Sequence, residues 1–217
     1  NLAKVNEELQ QLYDIEGSDK MQILKMLTRL RQLCLEPRLV YDNIDQPSSK
    51  LKACMELIKT MQENKQKVLL FSSFTSALDL IAEECQKAGI TYYMLTGSTN
   101  KEERRELVSR FQKDDTTLFL ISLKAGGTGL NLTSAENVIH YDPWWNVSAQ
   151  NQATDRAYRI GQKSNVQVFN LVMKDSVEEK IIEMQKRKKE LADMFVENNS
   201  GGLSQMSKED ILSLFTM

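Results

Sequence analysis

Five short apolar runs, separated by segments with helical spacing, constrain the fold of this chain more than any other feature. They are KVLLF (67–71), TYYML (91–95), TLFLI (117–121), NVIHY (137–141) and VQVFNLV (166–172). Runs of this length are typical of buried strands, and helical segments at 76–88, 101–112 and 148–159 lie between them. This alternation predicts an α/β fold, in which helices cover both faces of a doubly wound, mainly parallel sheet.

Helices are also predicted on both sides of the alternating region. Residues 21–35 carry apolar side chains at three- and four-residue steps before Pro37, and a second helix starts behind Ser48 or Ser49 as its N-cap. A long charged helix at 176–198 precedes SKEDILSLF, a short terminal helix with a capping box. We therefore divide the chain into a helical segment at 1–47, a lobe at 48–175 and C-terminal helices at 176–217.

The composition limits the kinds of partner and site. The 217 residues include 28 basic and 30 acidic side chains, so the net charge is -2 and any site for a polyanion must be local. Cys34, Cys54 and Cys85 are far apart and form no CxxC pair, which argues against a disulfide framework or a zinc site and favours a reducing compartment. No apolar run is long enough for a membrane span, and the abrupt polar start suggests a piece of a longer protein.

Polar and glycine-rich segments follow four of the predicted strands. They are SSFTS, TGST, SLKAGGTGLN and DPWWN, and ligands of open parallel sheets bind beyond the carboxyl ends of the strands. The glycines of AGGTG permit close approach of a ligand, although a tight strand-to-helix connection explains them equally well. Leu132 stands where a dinucleotide fingerprint needs its third glycine, and the chain contains no GxxxxGK[ST] phosphate loop. The chain alone is therefore not expected to hold and hydrolyse ATP.

The segment QNQATDRAYRIGQ (150–162) places Arg156 and Arg159 three residues apart on a predicted helix. Guanidinium groups suit bidentate recognition of phosphate. A solvated arginine pair with Asp155 as its partner is the alternative that these residues alone leave open.

The order of four motifs resembles one family. KVLLFSSFTSALDLI, LTGSTNKEERRELVSRFQ, LISLKAGGTGLNLTSAENVIHYDPWWN and QATDRAYRIGQ are similar to the second RecA-like lobe of SWI/SNF-type DNA-dependent ATPases, in helicase superfamily two. The resemblance covers residues 49–185, and LRQLCLEPRLV resembles the helical segment that precedes this lobe. It implies the second motor lobe of an ATP-dependent translocase or remodeller of double-stranded DNA.

For ATP, the resemblance implies that Arg156 and Arg159 are arginine fingers. They would face the γ-phosphate of ATP with Mg²⁺, which the absent N-terminal RecA-like lobe mainly binds. The other residues that the resemblance assigns to the ATP cleft are Gln152, Asp155, Gly127 and Gly129.

For DNA, the resemblance implies loop contacts with the phosphate backbone of one strand of a duplex. Trp145 matches the tryptophan that couples the ATP state to the grip on DNA, although a half-buried aromatic under a loop is the alternative; for Trp144 a packing role is favoured. The candidate DNA contacts are Ser72, Ser73, Gly97, Ser98, Lys124 and Asn146.

Three positions depart from the family pattern. This chain has Tyr158 where many eukaryotic relatives carry histidine, Val147 where proline is frequent, and Thr128 where leucine is common. Tyr158 and the compact lobe favour a bacterial source. The protein would then be cytoplasmic and associated with the nucleoid, whereas a eukaryotic source would make it nuclear. A monomer is expected, with RNA polymerase or another DNA-bound protein as a possible obstacle that it moves.

Several interpretations from other classes stay open. The chain is also compatible with a lobe of an RNA helicase or annealing motor, or with a non-catalytic interaction module. His140 is predicted to be a satisfied core or cleft residue, so no histidine catalysis and no metal site are expected. The basic run KRKK (186–189) is predicted to be a solvated helix face, and the helix that carries it resembles the family's C-terminal brace.

Overall fold

The computed structural model describes residues 20–126, 130–158 and 165–197, without the side chains of 20–24, 126, 149 and 191–197. The strands are β1 (Val68–Ser72), β2 (Tyr92–Leu95), β3 (Leu118–Ser122), β4 (Asn137–His140) and β5 (Gln167–Asn170). The helices are α1 (Lys20–Leu35), α2 (Ser49–Glu63), α3 (Thr75–Lys87), α4 (Lys101–Lys113), α5 (Leu123–Gly126), α6 (Val147–Thr154) and α7 (Val177–Glu197), with a 3-10 turn at Pro37–Leu39.

The five strands form one sheet in the order β2-β3-β1-β4-β5, and every pair is parallel. β1 lies at the centre, with Leu70 opposite Leu120 of β3 on one side and Ile139 of β4 on the other. Each of the five predicted apolar runs coincides with one of these strands, although β1 and β3 extend one residue past their runs, so the predicted α/β fold with a parallel sheet is confirmed.

Alternate side chains of β1 enter two separate cores. Val68 and Leu70 pack with residues of α2 and α3 on one face of the sheet. Leu69 and Phe71 pack on the other face with residues of α4, α5 and α6. Successive side chains of a strand point to opposite faces, so an unbroken apolar run is stable only when both faces are covered. Full burial of one such side chain stabilises the fold by about 1.5 to 3 kcal/mol.

Residues at the helix termini explain where α2 begins and where α3 ends. Ser48 caps α2, because its Oγ accepts a hydrogen bond from the backbone N–H of Leu51 at 3.1 Å. α3 ends at Lys87, and Gly89 two residues later has a φ of 67°, a backbone conformation that glycine adopts without strain. The N–H of Ile90 bonds to the carbonyl of Cys85 at 2.9 Å, which completes a Schellman motif.

Two predictions about elements are wrong in part. β5 is an edge strand and is largely exposed, with 43% of Val168 accessible, rather than a buried strand. The helix predicted at 148–159 ends at Thr154, and residues 155–157 form a turn. In that turn the N–H of Arg156 bonds to the carbonyl of Ala153 at 3.2 Å, so the helix tightens to three-residue bonding where it ends.

The helices that flank the sheet pack on each other and on its carboxyl end. α1 contacts α2 and α7, and the hydroxyl of Tyr141, just after β4, donates to the carbonyl of Leu35 at 2.9 Å. Lys50 at the start of α2 forms a buried ion pair with Glu178 of α7. The four residues of the KRKK run on α7 are exposed, as a solvated helix face requires. The predicted helix in SKEDILSLF lies outside the described residues.

Cys34, Cys54 and Cys85 are free and buried, and burial raises the pKa of each thiol. They behave as small apolar side chains of the core. In the part of the chain that the structure describes, no helix combines the length and apolar character that a membrane crossing needs.

Candidate functional site

Asp142 is the polar centre of the carboxyl edge of the sheet. Asp142 follows β4. On the neighbouring strand β1, Ser72 is the last residue and Ser73 comes directly after it. Asp142 is 1% exposed, and its Oδ1 accepts from the Ser72 hydroxyl at 2.7 Å and from the Ser73 backbone N–H at 3.0 Å. The Ser73 hydroxyl also contacts Oδ2. One carboxylate therefore joins the SSFTS and DPWWN segments.

Arg31 brings α1 into the same network. Its Nη2 donates to Asp142 Oδ2 at 2.9 Å and to Ser73 Oγ at 2.7 Å, while its guanidinium lies 4.9 Å from the centre of the Phe74 ring. A charge-assisted bond to a buried carboxylate is among the stronger polar contacts in proteins. α1 thus supports the loop after β1 from outside the sheet.

This network bears on the two serines that were predicted to contact DNA. Ser72 is fully buried and its hydroxyl is bonded to Asp142, whereas Ser73 is half-buried. A buried hydroxyl acts on a ligand only through the groups that it positions. Direct contact between Ser72 and DNA is therefore not favoured by this arrangement, and for Ser73 contact stays a prediction.

The other predicted DNA contacts are exposed on the loops after β2, β3 and β4. Ser98 Oγ lies 2.8 Å from Thr96 Oγ1, and Gly97 beside it has open space where a Cβ would project. Lys124 is exposed on α5, and Asn146 is exposed just before α6. Gly97 has an ordinary φ and no neighbour at the Cβ position, so the fold of this lobe does not itself require glycine there.

Arg156 lies in the turn after α6 rather than on a helical face. It is 4% exposed, and its carbonyl accepts from the backbone N–H of Leu132 at 3.0 Å. This bond holds the segment after β3 against the end of α6. Gln152 is exposed on α6, and Asp155 is exposed in the turn that follows it. Arg159, Gly127 and Gly129 lie outside the described residues.

The two tryptophans have different surroundings. Trp144 packs against the core cluster of α4, α5 and α6, and its backbone N–H donates to Gln150 Oε1 at 3.2 Å. Gln185 of α7 donates to the carbonyl of Trp144. Trp145 is half-buried and is not among the side chains packed on that cluster. The packing role predicted for Trp144 agrees with these contacts, and both interpretations of Trp145 remain compatible with its burial.

His140 is a buried residue, as predicted. Its Nε2 lies 2.9 Å from the Thr154 hydroxyl at the end of α6, and its ring stacks on Phe71 at 5.7 Å. Burial lowers the pKa of His140 to about 4, and the nearby Asp142 only partly offsets this effect. The imidazole is therefore neutral near pH 7 and links β4 to α6.

Sequence reasoning did not single out Asp142 or Arg31. Asp142 carried a signal, because it is the acid of DPWWN and directly follows a predicted strand. Arg31 carried none, because its partner is 111 positions away in the chain. Among the described residues, no group of three or more histidine, cysteine or acidic side chains is placed to hold a metal ion.

Residues 49–161 match the family described as the helicase conserved C-terminal domain. The chain belongs to this family. Within it, the relatives and the fold place the chain in the SWI2/SNF2 type, so its α/β sheet is the C-terminal RecA-like lobe of such ATPases.

Similar proteins occur in both bacteria and eukaryotes. A Mycoplasma pneumoniae protein described as an uncharacterized ATP-dependent helicase is 36% identical over 95% of this chain and 20% of its own length. A mouse SWI/SNF-related regulator of chromatin, subfamily A member 1, is 35% identical over 90% of this chain and 20% of its own length. The chain spans about a fifth of the length of these curated relatives.

A solved structure agrees with this family. The Sulfolobus solfataricus SWI2/SNF2 ATPase core in complex with double-stranded DNA is 30% identical, with a TM-score of 0.73, over 98% of this chain and 46% of that chain.

Proposed function

We propose that this chain is the second motor lobe of an ATP-dependent translocase or remodeller that acts on double-stranded DNA. The observation that carries the proposal is that the structure joins the segments that resemble the family motifs at one edge of the sheet. Asp142 binds the segment after β1 to the segment after β4, and the bond from Leu132 to Arg156 binds the segment after β3 to α6. Membership of the helicase family supports this function for the assembled edge.

In this proposal, Arg159 is the finger that reaches the γ-phosphate of ATP on the first lobe. Arg156 was predicted as a second finger, but with 4% exposure its side chain belongs to the interior of the lobe. The backbone carbonyl of Arg156 accepts from the Leu132 N–H at 3.0 Å, so we assign Arg156 to holding the turn after α6. Gln152 and Asp155 would line the ATP cleft with the backbone of Gly127 and Gly129. ATP and Mg²⁺ would be held mainly by the first lobe, so the isolated lobe would not hydrolyse ATP.

DNA would lie against the exposed loops at the carboxyl edge. Gly97, Ser98, Lys124 and Asn146 offer backbone N–H groups, a hydroxyl, an ammonium and an amide, all of which bind phosphate oxygens without reading base sequence. Ser72 would act through Asp142 rather than by direct contact. The DNA-bound Sulfolobus relative supports duplex DNA as the polymer.

The same proposal covers the organisation and setting of the protein. Residues 48–175 would be the motor lobe, residues 1–47 would lead into it, and residues 176–217 would brace it. The lobe would work as a monomer with its own first lobe, in the nucleoid or the nucleus, and could displace a DNA-bound protein such as RNA polymerase.

The decisive experiment is Arg159→Ala in the full-length protein. A finger that engages only when the lobes close stabilises the transition state more than the ground state. We expect kcat for DNA-stimulated ATP hydrolysis to fall about a thousandfold or more, with ATP affinity within about tenfold. Arg159→Lys should also be severely impaired, because an ammonium lacks the planar fork of donors.

Two controls separate the alternatives. DNA binding at matched salt should persist in both variants, since the proposal assigns it to other loops. Near-normal hydrolysis with lost DNA binding in Arg159→Ala would make this segment a DNA contact instead. Stimulation of the unaltered protein by RNA or single strands, but not by duplex DNA, would favour an RNA helicase or annealing motor.

A further inference from the structure

Two glutamines from different helices hold the backbone of Trp144. Gln150 Oε1 on α6 accepts a hydrogen bond from the Trp144 backbone N–H at 3.2 Å, and Gln185 Nε2 on α7 donates one to the Trp144 carbonyl. All three residues are half-buried. Backbone polar groups that are withdrawn from water need partners, and each amide presents the atom that the backbone group requires. The backbone conformation of Trp144 therefore depends on both helices.

The bond from Gln185 also constrains Trp145. A peptide unit is planar, so the carbonyl of Trp144 lies in one plane with the N–H and the Cα of Trp145. The bond to Gln150 fixes the preceding peptide unit in the same way. Together, the two bonds set the direction in which the chain leaves Trp144 and enters Trp145, the residue that the family motif assigns to coupling.

Gln185 lies on the face of α7 that is docked on the lobe. Glu178, Ile181 and Gln185 are at positions i, i+3 and i+7, so they share one face of the helix. Glu178 forms the buried ion pair with Lys50, and Ile181 is fully buried. About two turns after the ion pair, the same face reaches the backbone of Trp144. A displacement of α7 would break this bond unless the DPWWN segment moved with the helix.

Gln150 connects the same segment to the sheet. Its Nε2 donates to Asn170 Oδ1 on β5 at 2.9 Å. Its backbone carbonyl accepts from the Thr154 hydroxyl at 3.3 Å, and that hydroxyl lies 2.9 Å from His140 Nε2 on β4. Gln150 thus ties the DPWWN segment to the sheet, whereas Gln185 ties it to a helix outside the sheet.

We propose that Gln150 and Gln185 are positioning residues for Trp145, and that the docking of α7 sets how efficiently ATP hydrolysis is coupled to movement on DNA. The inference rests on the proposed function. Both glutamines act through the backbone of Trp144. Loss of the Gln185 donor leaves a half-buried carbonyl unpaired, so the segment would turn toward water or toward another donor. ATP hydrolysis would continue, while movement on DNA would become inefficient.

Gln185→Glu in the full-length protein tests this inference. The substitution keeps the size of the side chain but replaces the donor with a carboxylate, which repels the carbonyl of Trp144. We expect kcat for duplex-stimulated ATP hydrolysis to stay within about threefold and triplex displacement per ATP hydrolysed to fall about tenfold, as loss of a donor to a buried acceptor predicts. Gln185→Ala also lacks the donor, adds no charge and should give the same result.

Gln150 supplies the matched variants. Gln150→Glu introduces the same charge but keeps an acceptor for the Trp144 N–H, and the amide of Asn170 can turn to donate to the new carboxylate. Displacement per ATP should therefore stay within about twofold in Gln150→Glu, because no backbone group of Trp144 loses its partner. Gln150→Leu removes the acceptor and should impair coupling as Gln185→Glu does.

Tryptophan fluorescence of the 217-residue chain gives a second measurement that does not depend on motor activity. The chain contains two tryptophans, and both belong to this segment. Gln185→Glu and Gln185→Ala should shift the emission maximum and increase quenching by acrylamide, whereas Gln150→Glu should leave both properties unchanged. Urea unfolding of the same variants should show that the lobe stays folded.

Normal displacement per ATP in both Gln185 variants, together with lost displacement in Trp145→Ala, would overturn this inference and leave the proposed function standing. Equal losses in Gln185→Glu and Gln150→Glu would also overturn it, because the effect would then follow from added charge. Absence of duplex-stimulated ATP hydrolysis in the unaltered protein would count against the proposed function itself. Unchanged fluorescence in both Gln185 variants would overturn the positioning role in either case.

Discussion

Lys50 and Glu178 are 128 positions apart in the chain and form a buried ion pair, with Lys50 Nζ 2.6 and 2.7 Å from the two carboxylate oxygens. The two residues are 5% and 1% exposed. Glu178 also accepts a hydrogen bond from the backbone N–H of Met173 at 2.8 Å, and Lys50 Nζ lies 5.3 Å from the centre of the Tyr141 ring. The pair fastens the start of α7 to the start of α2, beside the carboxyl end of β4.

Removal of one partner of this pair should destabilise the lobe more than removal of both. Lys50→Met leaves Glu178 buried without its counter-charge, and the expected loss is about 3 to 5 kcal/mol of unfolding free energy. Lys50→Met with Glu178→Leu should recover much of that loss, because no buried charge remains. Urea unfolding of the 217-residue chain measures both values. A loss below about 1 kcal/mol in Lys50→Met would show that water reaches the pair.

His140 should make the stability of the lobe depend on pH. Its pKa is about 4 in the folded state against an ordinary 6.5, so the unfolded chain binds a proton in this interval that the folded chain does not. Stability contributed by neutral His140 is complete above pH 6.5 and is lost as pH falls toward 4, by about 1.4 kcal/mol per pH unit.

The test uses His140→Gln, which keeps a nitrogen for the Thr154 hydroxyl and cannot titrate. Between pH 6.5 and 4.5 the unfolding free energy of the unaltered chain should fall more steeply than that of the variant, and the chain has only this histidine. Parallel pH profiles for the two proteins would show that His140 is protonated equally in the folded and unfolded states.

Gly97 offers a test of DNA contact that is independent of stability. The space at its Cβ position is open, so Gly97→Ala should leave the unfolding free energy within about 1 kcal/mol of the original. If backbone phosphate approaches this loop closely, the added methyl group should weaken duplex binding by about tenfold, which corresponds to about 1.4 kcal/mol.

Gly89→Ala is the control with the opposite pattern. Gly89 has a φ of 67° at the end of α3, so alanine should cost about 1 kcal/mol of stability there and leave DNA affinity unchanged. Unchanged duplex affinity in Gly97→Ala would remove Gly97 from the proposed DNA contacts.

Substitution of Trp145 and substitution of Trp144 should have different effects, because Trp145 is proposed to couple ATP hydrolysis to movement on DNA and Trp144 packs on the core. In the full-length protein, Trp145→Ala should leave ATP hydrolysis partly intact and abolish translocation, as the family motif implies. Trp144→Ala should instead lower the stability of the lobe by about 2 kcal/mol, because Trp144 packs on the core. Triplex displacement measures translocation, and displacement at the unaltered rate in Trp145→Ala would contradict its coupling role.

Most of the fold was predictable from local patterns. The unbroken apolar runs indicated strands that are covered on both faces, and Ser48, one of the two N-cap candidates, does cap α2. The exposure of β5 was not predictable in this way, because an apolar run does not reveal whether its strand has one neighbour or two. The end of α6 at Thr154 was also missed, since Asp155, Arg156 and Ala157 are compatible with a helix until the bond from Leu132 fixes the turn.

The sequence by itself determined the class of fold, the order of the loops at one edge and the family to which they belong. These properties depend on residues that are close in the chain, whose spacing sets which face of a strand or helix they occupy. Tertiary structure alone decided that Arg31 and Asp142 meet, that Lys50 pairs with Glu178, and that Ser72 and Arg156 are buried. Such pairings form only when parallel strands are placed side by side and the flanking helices close over their ends, because the partners are more than 100 positions apart or gain their burial from distant elements.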